Sequence, residues 1–148
     1  MTWNISKATA YGGVLLTRSG QILLREPSNH FAGYVWTFAK GTPEPGDIPE
    51  TTALREVREE TGYDVEIVDV LPGLFKGGLS TNAYFVMRHI GPQGKFDWET
   101  QATRWVDFDQ AAELIGLTKN FTGRLRDLAV LAAARQWFEK NGSNLMDD

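Results

Sequence analysis

Residues 41–63 read GTPEPGDIPETTALREVREETGY, and the rest of the chain is organised around them. The first seven hold two glycines and two prolines, which excludes regular structure there. From Pro49 to Thr61 the composition turns helical. Pro49 suits a first turn, where its missing N–H costs nothing. Asp47 and Glu50 favour the positive end of the helix dipole, and Asp47 is a candidate cap with Ile48 intervening. Ala53, Leu54 and Val57 form an apolar stripe, and Gly62 supplies the stop. Glu56, Glu59 and Glu60 recur at i, i+3 and i+4, which puts their Cβ atoms within about 6 Å on one face. Like charges so placed repel. Two readings are open at this point. The carboxylates belong to a solvated network with Arg55 and Arg58, contributing a few tenths of a kcal/mol per pair. Or they form a platform for a hard cation such as Mg²⁺ or Mn²⁺, which takes carboxylate and phosphate oxygens and supports attack of water on phosphorus.

Upstream, residues 7–26 predict two strands, ATAYGGVLLT and QILLRE, joined as a hairpin through Ser19-Gly20. Gly12 and Gly13 mark a bulge, a close approach by a ligand, or tight packing of helix on sheet. PSNHFAGY (27–34) predicts a loop, and residues 35–39 a short strand with Trp36 and Phe38 on one core face. Downstream, strands are expected at 65–71, 81–90 and 103–108. A glycine-rich turn at 72–80 carries Phe75 and Lys76, and a loop at 91–100 carries Asp97, Trp98 and Glu99. A short helix over 109–115 takes Asp109 as its cap. A long one over 122–140 presents Leu125, Leu128, Leu131 and Ala132 at helical spacing. Residues 141–148 read as a flexible polar tail. The order predicts a single α/β domain over 1–148, with its core in 8–138 and a mixed sheet covered by helices.

A chain of 148 residues at 42% hydrophobic and 23% charged has the profile of an ordinary globular domain. Its net charge of −4 argues against a general nucleic-acid binder, which needs a basic surface. A local basic pocket for a phosphorylated small molecule is compatible with it. Without cysteine there is no disulfide framework, zinc–thiolate site or cysteine nucleophile, which fits a cytoplasmic protein. His30 and His89 stand in no ligand spacing. The N-terminus lacks the order of a signal peptide, and no apolar run is long enough for a bilayer, so no membrane partner is expected.

The central stretch resembles the signature of the Nudix hydrolases. That signature is Gly, five residues, Glu, seven residues, then Arg-Glu-apolar-any-Glu-Glu-any-Gly-apolar. Here Gly41, Asp47 and Arg55-Glu56-Val57-Arg58-Glu59-Glu60-Thr61-Gly62-Tyr63 stand at those spacings, with Asp47 in place of the usual Glu. WTFAKG (36–41) is similar to the Trp-x-Phe-Pro-Lys-Gly of one branch, with Ala39 in place of Pro. ETQATRWVDFDQAAELI (99–115) resembles the segment in which members carry a Glu, a strand with Trp and a short helix. The resemblance implies an α/β/α sandwich and a Mg²⁺-dependent hydrolase of phosphoric anhydride bonds, with Mn²⁺ as a substitute. It further implies that Glu56, Glu59, Glu60 and the Gly41 carbonyl ligate the metal, that one of the glutamates serves as base, and that Arg55 orients them. Glu99 is implied as an additional carboxylate.

The implied substrate is a nucleoside diphosphate linked to another moiety. A dinucleoside polyphosphate is the first expectation, and a nucleoside diphosphate sugar, ADP-ribose or a damaged triphosphate are the alternatives. Lys40, Lys76, Phe75 and Arg25 are the expected substrate contacts. Lys119, Arg124 and Arg126 are further candidate phosphate binders, and Phe31 and Tyr34 candidate stacking partners. A small nucleotide is the expected partner, and a homodimer is compatible with the sequence. A non-catalytic nucleotide-binding regulator is the rival class. The shorter Asp47 predicts a shifted loop with activity retained.

Overall fold

The computed structural model describes residues 3–145. Strand β1 (Ala10–Leu15) is buried along its whole length. A strand apolar on both faces belongs inside a sheet with cover on each side. It pairs in parallel with β6 (Ser80–Ile90) and antiparallel with β3 (Ala39–Gly41). β4 (Asp64–Val70) continues the sheet antiparallel to β6, in the order β3-β1-β6-β4. β5 (Phe75–Gly77) pairs with the start of β6, so the expected turn at 72–80 contains a short hairpin. The mixed sheet is as anticipated, but the hairpin between the first two strands is not formed. β2 (Ile22–Pro27) touches β1 only through a Leu16–Ile22 bridge and pairs instead with β7 (Thr100–Val106) in a separate two-stranded sheet. Both edges of β1 are already taken, which leaves β2 no ladder there. The strand expected at 35–39 is displaced to Ala39–Gly41, with a single bridge from Thr37 to Arg25 ahead of it.

Helix α1 (Pro49–Thr61) has the predicted bounds and ends at Gly62 in the left-handed conformation, φ 79°. Its Ala53 and Val57 pack on one face of the large sheet with Tyr11, Leu15, Phe85 and Met87. On β1 this is the odd-numbered face, and a Cβ at Gly13 would strike Met87 and come 3.1 Å from Val57. Close helix-on-sheet packing is therefore the reason for that glycine. On the other face Val14, Leu16, Tyr84 and Val86 meet α2 (Phe108–Ile115) and α3 (Phe121–Asn141), which gives the α/β/α layering. α2 is capped by Asp107, whose Oδ1 accepts from Gln110 N at 2.7 Å. The expected cap, Asp109, lies inside the first turn.

The inner face of α3 also departs from expectation. Gly123, Arg126, Asp127, Val130, Leu131, Ala134 and Trp137 are buried, whereas Leu125 is 51% exposed and Ala132 faces solvent. Trp137 Nε1 donates to Asp69 Oδ2 at 2.8 Å and fastens the helix to β4. Residues 141–145 do not trail as a free tail. Gly142–Asn144 form a 3-10 turn and Leu145 is 2% exposed in the core, while 146–148 lie outside the described residues. No helix among the described residues is long and apolar enough to cross a membrane.

Candidate active site

The loop before α1 is closed by one carboxylate. Asp47 Oδ2 accepts from Glu44 N (2.8 Å), Thr52 Oγ1 (3.1 Å) and Arg55 Nη1 (2.6 Å). The helix N-cap is Ile48, without a side-chain bond, so Asp47 clamps the loop to the helix rather than capping it. The Glu44 N–H, followed by Arg55, holds the Asp47 carboxyl below its ordinary range. The shorter side chain thus reaches Arg55 directly, at 2.6 Å. Arg55 is turned to this clamp and to Glu44 at 3.6 Å.

One turn further on, Glu56 is half-buried beneath β3, and a Cβ at Gly41 would fall on its carboxylate. Glycine is the residue that allows this approach. Burial, with Glu59 next, pushes the Glu56 carboxyl up to about 7, and Asp97 and Glu99 act in the same sense. Glu60 is 7% exposed. It accepts from Lys40 N at 3.0 Å and lies 3.8 Å from Arg25 Nε. Burial pushes it up to about 8, with Glu56 adding to the effect and Arg25 opposing it. Glu59 is exposed, and its carbonyl accepts from Asp97 N at 2.8 Å, which ties the loop carrying Glu99 to the helix.

A cavity of about 790 Å³ opens beside Glu60 and is walled by Arg25, Lys40, Glu99, Trp98, Phe31 and Arg126 among others. That volume suits a small-molecule ligand. Arg25 is fixed by Thr100 Oγ1 (2.8 Å) and the Glu99 carbonyl (2.9 Å). Lys40 is held below its ordinary pKa by burial and then by the charge of Arg126. Phe31 and Trp98 are 78% and 83% exposed. Their loops are bolted together: Ser28 N donates to the Glu99 carbonyl (2.9 Å), Ser28 Oγ to the Trp98 carbonyl (2.6 Å), and Asn29 N to Gln101 Oε1 (2.9 Å). Phe31 sits among Asn29, His30 and Ala32, all at positive φ (56°, 49° and 58°), a strained run of the kind stored at ligand sites.

Arg25, Lys40, Glu60, Glu99, Phe31, Tyr34 and Arg126 therefore share one cavity. Phe75 and Lys76 do not line it. Phe75 packs on the core edge-on to Tyr84, 5.8 Å between ring centres, and Lys76 points to solvent on the alternate side of β5. Lys119 serves through its backbone N–H to Gly33, and Arg124 bonds the Thr118 carbonyl and lies over Phe121. The sequence places Trp98 in its loop without assigning it to the site, and it gives no sign of the Asp127–Thr37 contact (2.6 Å). An isolated Trp beside two acids was the one available signal for the former. The latter joins residues ninety apart.

No three Asp, Glu, His or Cys side chains among the described residues form a ready-made metal cage. The donor set nevertheless fits a hard divalent ion. Mg²⁺ takes one or two carboxylates and completes its shell with water and substrate phosphate. Two carboxyls pushed up to about 7 and 8 by burial and by the charges of neighbouring carboxylates are the condition that such an ion relieves.

The NUDIX domain model matches residues 7–129. The asymmetrical bis(5′-nucleosyl)-tetraphosphatase of Sus scrofa is 32% identical over 104 residues, covering 64% of this chain and 69% of that protein. The RNA pyrophosphohydrolase of Azorhizobium caulinodans is 28% identical, over 70% of this chain and 80% of its own length. Among solved structures, an Ap4A hydrolase binary complex from C. elegans superposes with a TM-score of 0.60 at 21% identity, covering 84% of this chain and 98% of that one, a likeness of fold.

Proposed function

The chain belongs to the Nudix family and is a pyrophosphohydrolase of nucleoside-diphosphate-linked substrates; from that premise we propose a dinucleoside polyphosphate as its substrate. The observation that supports this reading is the composition of one cavity. It combines three cations, Arg25, Lys40 and Arg126, with the exposed rings of Phe31 and Trp98, next to the carboxylates of α1. A chain of phosphates calls for several cations, and a nucleobase for a flat apolar surface. The name of the Sus scrofa relative points the same way.

Family members need a divalent metal, and Mg²⁺ is the ion proposed here, with Mn²⁺ as a substitute. Glu56, Glu59, Glu60 and the Gly41 carbonyl would hold it. When bound, it would draw charge from the phosphate oxygens and acidify a water. Glu56 is the proposed base, since it stands half-buried on the same helix face as Glu59 and Glu60 and packs directly against Gly41. Glu99 adds a carboxylate from across the cavity. Arg55, held by Asp47, sets the height of the loop that carries Gly41. Lys40 and Arg25 meet the phosphates.

The 148 residues are proposed to act as one unit in a reducing cytoplasm, with a small nucleotide rather than nucleic acid as partner. A homodimer stands as a proposal that sedimentation would test. The experiment for the whole reading is hydrolysis of a panel with Mg²⁺ in water enriched in heavy oxygen. The panel holds dinucleoside polyphosphates, nucleoside diphosphate sugars, ADP-ribose, nucleoside triphosphates and a 5′-triphosphorylated RNA. A dinucleoside polyphosphate is expected to give the highest kcat/KM, with label in one product phosphate. Preference for the RNA would replace this substrate, and no turnover of any member would favour the non-catalytic regulator.

A further inference from the structure

The inner face of α3 carries a charged pair where its other buried positions are apolar or small. Arg126 is 5% exposed and Asp127 fully buried. Arg126 Nε donates to Asp127 Oδ1 at 3.1 Å, and Asp127 Oδ2 accepts from Thr37 Oγ1 at 2.6 Å. An apolar pair of similar volume would stabilise the layer as well or better, so burial of these charges has no basis in stability alone. The guanidinium is also positioned. It lies 5.4 Å over the Tyr34 ring. Gly77 leaves room for its Nη1, 2.5 Å from where a Cβ would stand, and Gly123 does the same for the Tyr34 hydroxyl.

The pair is unevenly used. Asp127 has two partners. Arg126 spends Nε on it, and its two amino ends make no hydrogen bond among the described residues. Those ends belong to a residue that lines the cavity, as does Lys40, whose ammonium has no ion-pair partner there. Arg25, in contrast, spends Nε on Thr100 and Nη2 on the Glu99 carbonyl and lies under the charge of Glu60, which leaves it one amino end for the phosphates. Arg126 from α3 and Lys40 from β3 therefore bring two cations without a full ion pair to this end of the cavity, under the charges of Asp127 and Glu60. Tyr84 adds a completely buried hydroxyl without a partner, within electrostatic reach of Arg126 and Asp127.

We propose that Arg126, held by Asp127 and Tyr34, is a substrate-binding residue that together with Lys40 forms an anion subsite for the outer part of the phosphate chain, so that the pocket favours long polyphosphate bridges over a diphosphate. A planar fork stacked on an aromatic ring, with its far edge free, is suited to phosphoryl oxygens. The chain-length preference rests on the pyrophosphohydrolase reading; the anion subsite does not.

The test uses the full chain with R126M/D127L, which replaces the pair by apolar residues, and R126Q, which removes the charge and leaves a donor for Asp127. Inorganic tripolyphosphate is titrated calorimetrically into the metal-free proteins. Charge-assisted hydrogen bonds of this kind predict a loss of affinity of about tenfold or more in both variants. If one variant does not fold by circular dichroism, the other decides. Unchanged affinity would make the pair purely structural and overturn the subsite. With Mg²⁺, the ratio of kcat/KM for a tetraphosphate-bridged over a diphosphate-bridged dinucleoside is expected to fall about tenfold in the variants. An equal loss on both would overturn the selectivity. Tripolyphosphate binding that depends on Arg126 without turnover of any dinucleoside polyphosphate would uphold the subsite while refuting the proposed substrate.

Discussion

Helices α1 and α3 face the same chemistry with opposite electrostatic designs. Along α1, Glu56, Glu59 and Glu60 are like charges that the helix's own arginines do not pair, since Arg55 is turned away to Asp47 and Arg58 to Asp64; of the three, Glu60 has a cation nearby, Arg25 at 3.8 Å. Along α3, Arg126 and Asp127 are opposite charges buried in contact. Two Arg–Asp pairs stand near this chemistry, Arg55–Asp47 at the rim of α1 and Arg126–Asp127 in the interior on α3. An unbalanced cluster weakens the fold and gains from a ligand. A balanced buried pair is roughly neutral until one partner is removed. Activity should therefore be most sensitive on α1, and stability on α3.

The largest effect is expected from Glu60→Gln. Removing a carboxylate that handles the metal or a proton should lower kcat by about 10³-fold. The same change should leave the metal-free melting temperature level or raise it, because a buried acid pushed up to about 8 is exchanged for a neutral group that still accepts from Lys40 N–H. Activity within tenfold of the parent would remove the carboxylate face from the reaction, and a collapse in stability would make it structural.

Asp127→Leu should do the reverse. It leaves a buried guanidinium unpaired, at a cost of about 3–5 kcal/mol, or on the order of 10 °C in Tm for a chain of this length. R126M/D127L should recover most of that loss. A thermal melt of the three proteins decides. If the double variant is as unstable as the single, the pair contributes through more than its mutual charge.

The same contrast explains what could be read in advance. The α1 cluster is local: its residues, its first-turn proline and its stop at Gly62 are contiguous, so spacing was sufficient to place the helix. The α3 face is not. Apolar periodicity pointed to Leu125 and Ala132, but the helix is rotated so that Gly123, Arg126 and Asp127 face inward. What turns it is contact with Tyr34 and Thr37, far away in the chain, and with Gly77 on a short strand that read as a turn. β2 illustrates the same limit. Ser19-Gly20 is a sound local hairpin signal, and it was outweighed by β3 and β6 occupying both edges of β1.

The smallest expected effects belong to the rim pair, and they separate it from the buried one by sign. The Asp47 carboxyl is held below its ordinary value near 3.8 by the Glu44 N–H and then by Arg55. Its contribution to stability is therefore complete above that value and is lost as pH falls through the lower, folded-state pKa. The melting temperatures of the parent and Asp47→Asn should differ by a constant amount from neutral pH to about pH 5, and converge below about pH 4. Burial pushes the Asp127 carboxyl the other way, against the pull of Arg126 and Thr37. Activity supplies the second half of the test. Because the shorter side chain already reaches Arg55 at 2.6 Å, Asp47→Glu should change kcat/KM by no more than a few-fold. A gain above tenfold would mean that the Asp47 clamp holds Gly41 out of position over Glu56, and the rim clamp would then join the carboxylates as a determinant of rate.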